Sequence, residues 1–128
     1  MERAIEVFAV IQFVVIGLSH VFQPQVWVDF FIRLREKGYP GVFVHGFMSL
    51  WFGSFVLAFH HVWSGLPMVL TIVGCAYTLK ALVCFVLPAV GMRSLQRVSH
   101  ERGWEFVVPG LGFLLVAGLL SYSLLRSV

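Results

Sequence analysis

Six side chains that could do chemistry lie inside long apolar stretches of the 128-residue sequence. They are Glu6, Gln12, His20, His45, His60 and Lys80. A charged group at the middle of a bilayer costs roughly 2.5–3.5 kcal/mol on insertion scales, so an ionisable residue there is a functional hypothesis by default. The chemistry that these types offer is ligand or metal binding by imidazoles and proton transfer by the carboxyl and amine.

The spacing of these residues predicts two pairs at matched depths. Glu6 and His20 are fourteen positions apart, which is about 21 Å along a helix, and His45 and His60 are fifteen apart, about 22 Å. If the two helices run antiparallel, Glu6 meets His60 at one level and His20 meets His45 at the other. Glycines and a serine on the same faces predict that the two helices approach closely.

Three interpretations follow from this arrangement. In the first, His20 and His45 bind a b-type haem, a quinone or a metal as neutral imidazoles, with Gly17 and Gly46 making room for a porphyrin. A metal would need a third ligand, for which Cys84 is a poor candidate. The prediction is therefore of no metal site, and haem is the cofactor considered.

In the second interpretation, Glu6 and His60 serve a small transporter or pore, with Lys80 and Gln12 as further members of an intramembrane relay. In the third, all of these groups are contacts that hold the helices in register. The sequence has no HExxH motif, no glycine-rich phosphate loop and no Ser/His/Asp set within a span. We therefore predict no catalytic residues and expect no enzymatic activity from this chain alone.

The elements that position these residues are set by composition. The sequence is 59% hydrophobic and 12% charged, against roughly 25% charged in a soluble domain. Helices of about 20 apolar residues cross a bilayer, and four segments qualify: residues 4–22, 41–61, 66–87 and 106–125. The fold class predicted is an all-α integral membrane protein, a four-helix bundle forming a single membrane domain over residues 1–128.

Two of the three connections are basic and amphipathic, over residues 24–37 and 89–102, and are predicted to be helices lying in the headgroup plane. Their basic residues are predicted to contact lipid headgroups: Arg33, Arg35, Lys37, Arg93, Arg97 and Arg102. The positive-inside rule places both connections in the cytoplasm and both termini outside, and we expect a bacterial inner membrane.

The two halves of the chain resemble each other in pattern. Pro24 and Pro88, 64 positions apart, each follow a predicted span, and "EKGY" at 36–39 is echoed by "ERGW" at 101–104. This predicts a parallel repeat of two units, each made of a span, a surface helix and a span.

The function expected from these features is a membrane scaffold or accessory subunit. Small residues in "GLGFLLVAG" at 110–118 predict either a contact surface, and hence a homo-oligomer or a place in a larger membrane complex, or close packing within the bundle. The net charge of +3 suits anionic lipid headgroups rather than nucleic acid. The partners expected are thus the lipid bilayer and other membrane proteins.

Overall fold

The computed structural model describes all 128 residues and contains six α-helices and no strand. The helices are α1 (Glu2–Phe22), α2 (Pro24–Glu36), α3 (Tyr39–Phe59), α4 (Met68–Val86), α5 (Pro88–Gln96) and α6 (Trp104–Arg126), with a 3₁₀ turn at His100–Arg102. Four of them, α1, α3, α4 and α6, are long and apolar enough to cross a membrane. The prediction of an all-helical protein with four helices able to span a membrane is thereby confirmed.

Proline and glycine mark where the helices begin. Pro24 and Pro88 occupy the first position of α2 and α5, where the missing N–H costs nothing because the first backbone donors of a helix have no internal acceptor. Gly38 precedes α3 with a φ of 69°, a left-handed conformation that glycine adopts without strain. These breaks turn the chain into and out of the two short helices.

The four long helices pack as two pairs, α1 with α6 and α3 with α4. A Cβ added at Gly110 would lie 3.0 Å from the carbonyl oxygen of Gly17, and one at Gly53 would lie 2.7 Å from the backbone nitrogen of Thr78. Glycines therefore allow close approach within each pair. The glycine-mediated packing expected between α1 and α3 is not formed, because their small residues are used against α6 and α4.

The chain termini and the 60–67 connection share one end of the molecule, named here the terminal end. Arg3 donates to Ser127 Oγ over 2.6 Å, which joins the two termini. The opposite end, the α2–α5 end, holds both short helices. Each end has its own apolar core: Ile5, Ala9, Phe13, Val56, Leu70, Ala117 and Leu120 at the first, and Leu34, Val42, Cys84 and Leu95 at the second.

The second short helix ends earlier than the sequence predicts, at Gln96 rather than near residue 102. Arg35 of α2 explains the end, because its guanidinium donates to the carbonyl oxygens of Val98 at 2.9 Å and Leu95 at 3.4 Å. The last carbonyls of a helix have no internal donor, so an arginine from a neighbouring helix can cap them. The capped chain then turns through the 3₁₀ segment into α6.

Candidate functional site

A cavity of about 380 Å³ lies between the two helix pairs, bounded at one side by α2. Eight of its seventeen lining side chains are aromatic: Phe13, Trp27, Phe31, Trp51, Phe52, Tyr77, Phe106 and Phe113. Six carry polar groups: Gln12, His20, His45, Ser49, Lys80 and Glu105. The structure thus gathers four of the six intramembrane polar residues found in the sequence around one space, Gln12 and His20 from α1, His45 from α3 and Lys80 from α4.

His20 is held in a fixed orientation in the last turn of α1. Its Nδ1 donates to the carbonyl oxygen of Ile16 over 2.8 Å, and its ring stacks on Trp27 with 4.2 Å between centroids. Trp27 is itself fixed, since its indole N–H donates to Ser19 Oγ over 2.8 Å. With Nδ1 protonated, the Nε2 of neutral His20 is an acceptor, and it makes no hydrogen bond within the protein.

His45 is the opposite case, because nothing in the protein satisfies it. Its Nδ1 is buried without a hydrogen-bond partner, and it is the one buried side-chain nitrogen or oxygen of which this is true. The edge of Phe31 packs against its ring at 5.0 Å between centroids. A buried polar atom left unsatisfied costs about 1–3 kcal/mol. Because Nδ1 is enclosed by protein, the ring nitrogen that a ligand can reach is Nε2, which also makes no hydrogen bond within the protein.

The two histidines line the same cavity but do not face each other directly. A chain of rings connects them: Phe106 lies 6.1 Å from His20, Phe31 lies 5.4 Å from Phe106, and His45 follows Phe31. A porphyrin coordinated by both imidazoles would need these two phenylalanines to move. The arrangement therefore favours a ligand lying beside the imidazoles over one held between them.

The glycines do not supply the space that a porphyrin was expected to use. A Cβ on Gly17 would lie 3.0 Å from Leu114 Cγ, and one on Gly46 would lie 2.9 Å from Cβ of Cys84. Both positions are filled by the paired helix, which corrects the expectation from sequence. No group of three or more His, Cys, Asp or Glu side chains converges in the structure to surround a metal ion.

Lys80 points back along α4 toward the middle of the span. Its ammonium lies 5.8 Å from the ring centroid of Tyr77, one turn nearer the start of the helix. Side chains on a helix lean toward its N-terminus, which here is away from the α2–α5 end. Lys80 also lines a second cavity of about 360 Å³ between α4 and α5, and His45 is the other residue that both cavities share.

Glu6 and His60 meet at the terminal end, away from both cavities. His60 Nε2 and Glu6 Oε1 are 2.9 Å apart, and His60 Nδ1 lies 2.8 Å from Thr71 Oγ1. The Thr71 hydroxyl donates to the carbonyl oxygen of Val62, so its oxygen accepts the proton on His60 Nδ1. One further proton then lies between Nε2 and the Glu6 carboxyl.

This carboxyl–imidazole–hydroxyl order resembles a hydrolase triad only in its residue types. Thr71 and His60 are both fully buried, and the threonine hydrogen is directed at a backbone carbonyl rather than at the imidazole. A nucleophile must reach a substrate and give its proton to the base. The network instead ties α1, α4 and the end of α3 together.

The predicted headgroup residues gather at the α2–α5 end. Five of the six are exposed: Arg33, Lys37, Arg93, Arg97 and Arg102. Arg35 differs, because its guanidinium is used to cap α5. Arg97 also reaches Glu105 Oε1 over 3.2 Å, and the exposed pair Asp29 and His100 links α2 to the 3₁₀ turn at 2.6 Å.

Sequence reasoning missed the aromatic walls of the cavity and the third member of the Glu6–His60 network. Thr71 lies one turn into α4, at the depth of His60, and that depth match was the available signal. Tyr77 and Phe113 carried no signal, since they are two among many aromatic residues in apolar spans. In comparisons with protein-family models, curated proteins and solved structures, the chain matches none.

Proposed function

We propose that this protein is a membrane-embedded binding protein, without enzymatic activity of its own, that holds a small lipid-soluble molecule between its two helix pairs. The observation that carries this proposal is the cavity of about 380 Å³. Sites for small molecules are typically about 300–1,000 Å³ and mainly apolar, with a few polar groups that fix the orientation of the ligand. Here His20, His45 and Lys80 are those groups.

The geometry puts this ligand-binding function ahead of the scaffold or accessory-subunit function expected from sequence. A protein that only docks onto partners, or onto copies of itself, needs no internal cavity lined by aromatic and polar side chains. Transport through Glu6 and His60 gains no support from their position, because they line neither cavity.

The test is whether a molecule co-purifies with the protein and depends on the cavity. Ser49 is the smallest side chain lining the cavity and is buried, whereas Ser54 on the same helix is exposed. Ser49→Phe fills the space, and Ser54→Phe adds the same ring on the outer face. Solvent extraction and mass spectrometry should detect one stoichiometric compound in the unaltered protein and in Ser54→Phe, but not in Ser49→Phe.

Equal content in all three proteins would contradict a cavity ligand and favour the scaffold function. The visible spectrum of the same preparations tests the haem alternative. A Soret band that disappears in His20→Ala or His45→Ala would assign the occupant as haem.

We also propose that the α2–α5 end faces the cytoplasm, in a bacterial inner membrane, and that the chain is a parallel repeat. The exposed basic residues at this end support the orientation. Two short helices that each begin with a proline directly after a span support the repeat. In a variant without native cysteines, a membrane-impermeant thiol reagent added outside cells should label Ser64→Cys but not Arg33→Cys; the reverse pattern would invert the topology.

A further inference from the structure

We infer that the occupant of the cavity is an amphiphilic anion, whose acidic group binds Lys80 and His45 and whose apolar body lies among the aromatic side chains. This inference rests on the proposed function and names the chemical class of the ligand. It follows from which charges around the cavity already have partners and which do not.

Lys80 is the charged side chain lining the cavity that has no ion-pair partner. The chain has three ion pairs within 4.0 Å, and Lys80 belongs to none of them. Glu105, the acidic side chain that lines the same cavity, is paired with Arg97. Glu6, the acidic residue in α1, is paired with His60. An ammonium held inside a span is stabilised by an anion, and no side chain of this protein supplies one.

The direction of Lys80 argues against a lipid headgroup at the α2–α5 end as its partner. A lysine near a helix end usually extends toward the interface, where headgroups and water solvate its charge. The ammonium of Lys80 instead lies near the Tyr77 ring, on the side of the cavity. The anion must therefore come to the lysine, inside the membrane.

His45 supplies the second contact at the same place. Lys80 and His45 are the two residues shared by the cavities on either side of them. A single acidic group at this boundary could accept from the ammonium and from the N–H of His45 Nε2, because Nδ1 is enclosed by protein and Nε2 makes no hydrogen bond within it. Two donors lining one space, one of them a cation, favour an anion over a neutral carbonyl.

The walls of the cavity indicate that this anion carries a large apolar body. Eight aromatic side chains line the space, and two of its lining residues, Trp51 and Met48, are 60% and 43% exposed on the face of a span. That face contacts lipid, so the cavity is reached from the bilayer. A free inorganic anion would have to leave water for an apolar space that gives it only one charge, whereas an ionised long-chain carboxylic acid is already in the bilayer.

Trp27 and Trp51 allow binding to be measured directly, because both line the cavity and Trp63 and Trp104 do not. We would use the full chain with Trp63→Phe and Trp104→Phe, in nanodiscs of zwitterionic lipid, at a pH where the carboxyl group is ionised. The probes are dibromostearic acid and its methyl ester, which differ in charge but carry the same quenching bromines. Saturable quenching of tryptophan fluorescence gives the affinity of each.

The acid should bind about tenfold more tightly than the ester, since a hydrogen bond to a charged group contributes about 1.5–3 kcal/mol and 1.4 kcal/mol is tenfold. Lys80→Gln should abolish this preference, and Lys80→Arg should retain it. Lys37→Gln is the matched control, because Lys37 is the one other lysine and is exposed at the end of α2. Circular dichroism checks that each variant is folded.

Equal affinities for acid and ester in the parent protein would overturn the inference while leaving a neutral ligand, and hence the proposed function, in place. If neither probe quenches the tryptophans, and Ser49→Phe co-purifies with as much bound compound as the unaltered protein, both the inference and the proposed function are contradicted. Displacement of the acid by inorganic phosphate would assign the site to a free anion and contradict the inference that the ligand is amphiphilic.

Discussion

The two ends of the molecule treat their polar groups in opposite ways. At the terminal end, Glu6, His60 and Thr71 form a closed network whose members are nearly or fully buried and satisfy one another. Around the cavity, the Lys80 ammonium has no ion-pair partner and the His45 imidazole makes no hydrogen bond within the protein. The terminal network recovers the cost of burying its polar groups within the protein, whereas the two groups at the cavity keep the capacity to bind a ligand.

This difference separates structural from ligand-binding polar groups in a way that residue type does not. A histidine whose two nitrogens both have protein partners has no capacity left for a ligand, and its removal leaves those partners unsatisfied. A histidine with an unpartnered nitrogen can be removed at little cost to the fold. Variants at the terminal end should therefore lose stability, and variants at the cavity should lose binding.

The largest effect is expected from His60→Ala. It leaves the Glu6 carboxyl without a partner in a buried site and removes the group that donates to Thr71 Oγ1. Breaking a buried pair by removing one member costs about 3–5 kcal/mol, and we expect a loss of that size in the free energy of unfolding. Chemical or thermal unfolding in detergent micelles, followed by circular dichroism, measures it.

His61→Ala is the matched control for His60→Ala. The neighbouring histidine is exposed and makes no side-chain hydrogen bond, so its removal should change stability by less than about 0.5 kcal/mol. Equal losses in the two variants would mean that the network contributes nothing specific and would erase the contrast between the two ends.

A smaller effect should follow from Gly53→Ala, which tests the pairing of the long helices on which the cavity depends. The added methyl group would lie 2.6 Å from Thr78 Oγ1 and 2.7 Å from Thr78 N, so α3 and α4 must separate. Overpacking of this kind costs about 1–3 kcal/mol. Gly112→Ala in α6 meets nothing within 4 Å and should be neutral or stabilising. Similar unfolding curves for the two variants would contradict tight packing at Gly53.

The contrast between the ends also explains what the sequence could predict. The depth of a residue follows from the fixed rise per residue, and matching depths predicted the meeting of Glu6 with His60. Lateral position does not follow from depth. His20 and His45 lie at one level but on helices of different pairs, and hydropathy alone does not tell which spans are neighbours. Four apolar helices long enough to span a membrane, with two short helices between them, were therefore predictable, whereas the pairing of α1 with α6 was not.

Lys80→Met should produce the opposite outcome to His60→Ala. Removing an unpartnered ammonium from the span should raise the free energy of unfolding by about 1–2 kcal/mol, below the roughly 2.5–3.5 kcal/mol that such a charge costs at mid-membrane. The same variant should lose the preference for the brominated acid. A large loss of stability would show that Lys80 has a structural role, as the Glu6–His60–Thr71 network does, and would contradict its role in ligand binding.

The smallest effect on stability is expected at Arg35, which the sequence alone does not distinguish from Arg33. Arg35 caps the end of α5 through the carbonyl oxygens of Val98 and Leu95, whereas Arg33 is exposed and makes no hydrogen bond to the protein. Arg35→Ala should lower the free energy of unfolding by about 1 kcal/mol, the typical net value of a hydrogen bond, and Arg33→Ala by less. The amount of anionic lipid that the purified protein retains from mixed micelles should fall comparably in both variants if both charges also reach headgroups. An arginine that acts only as a cap would change stability alone, which makes lipid affinity the measurement that distinguishes its two roles.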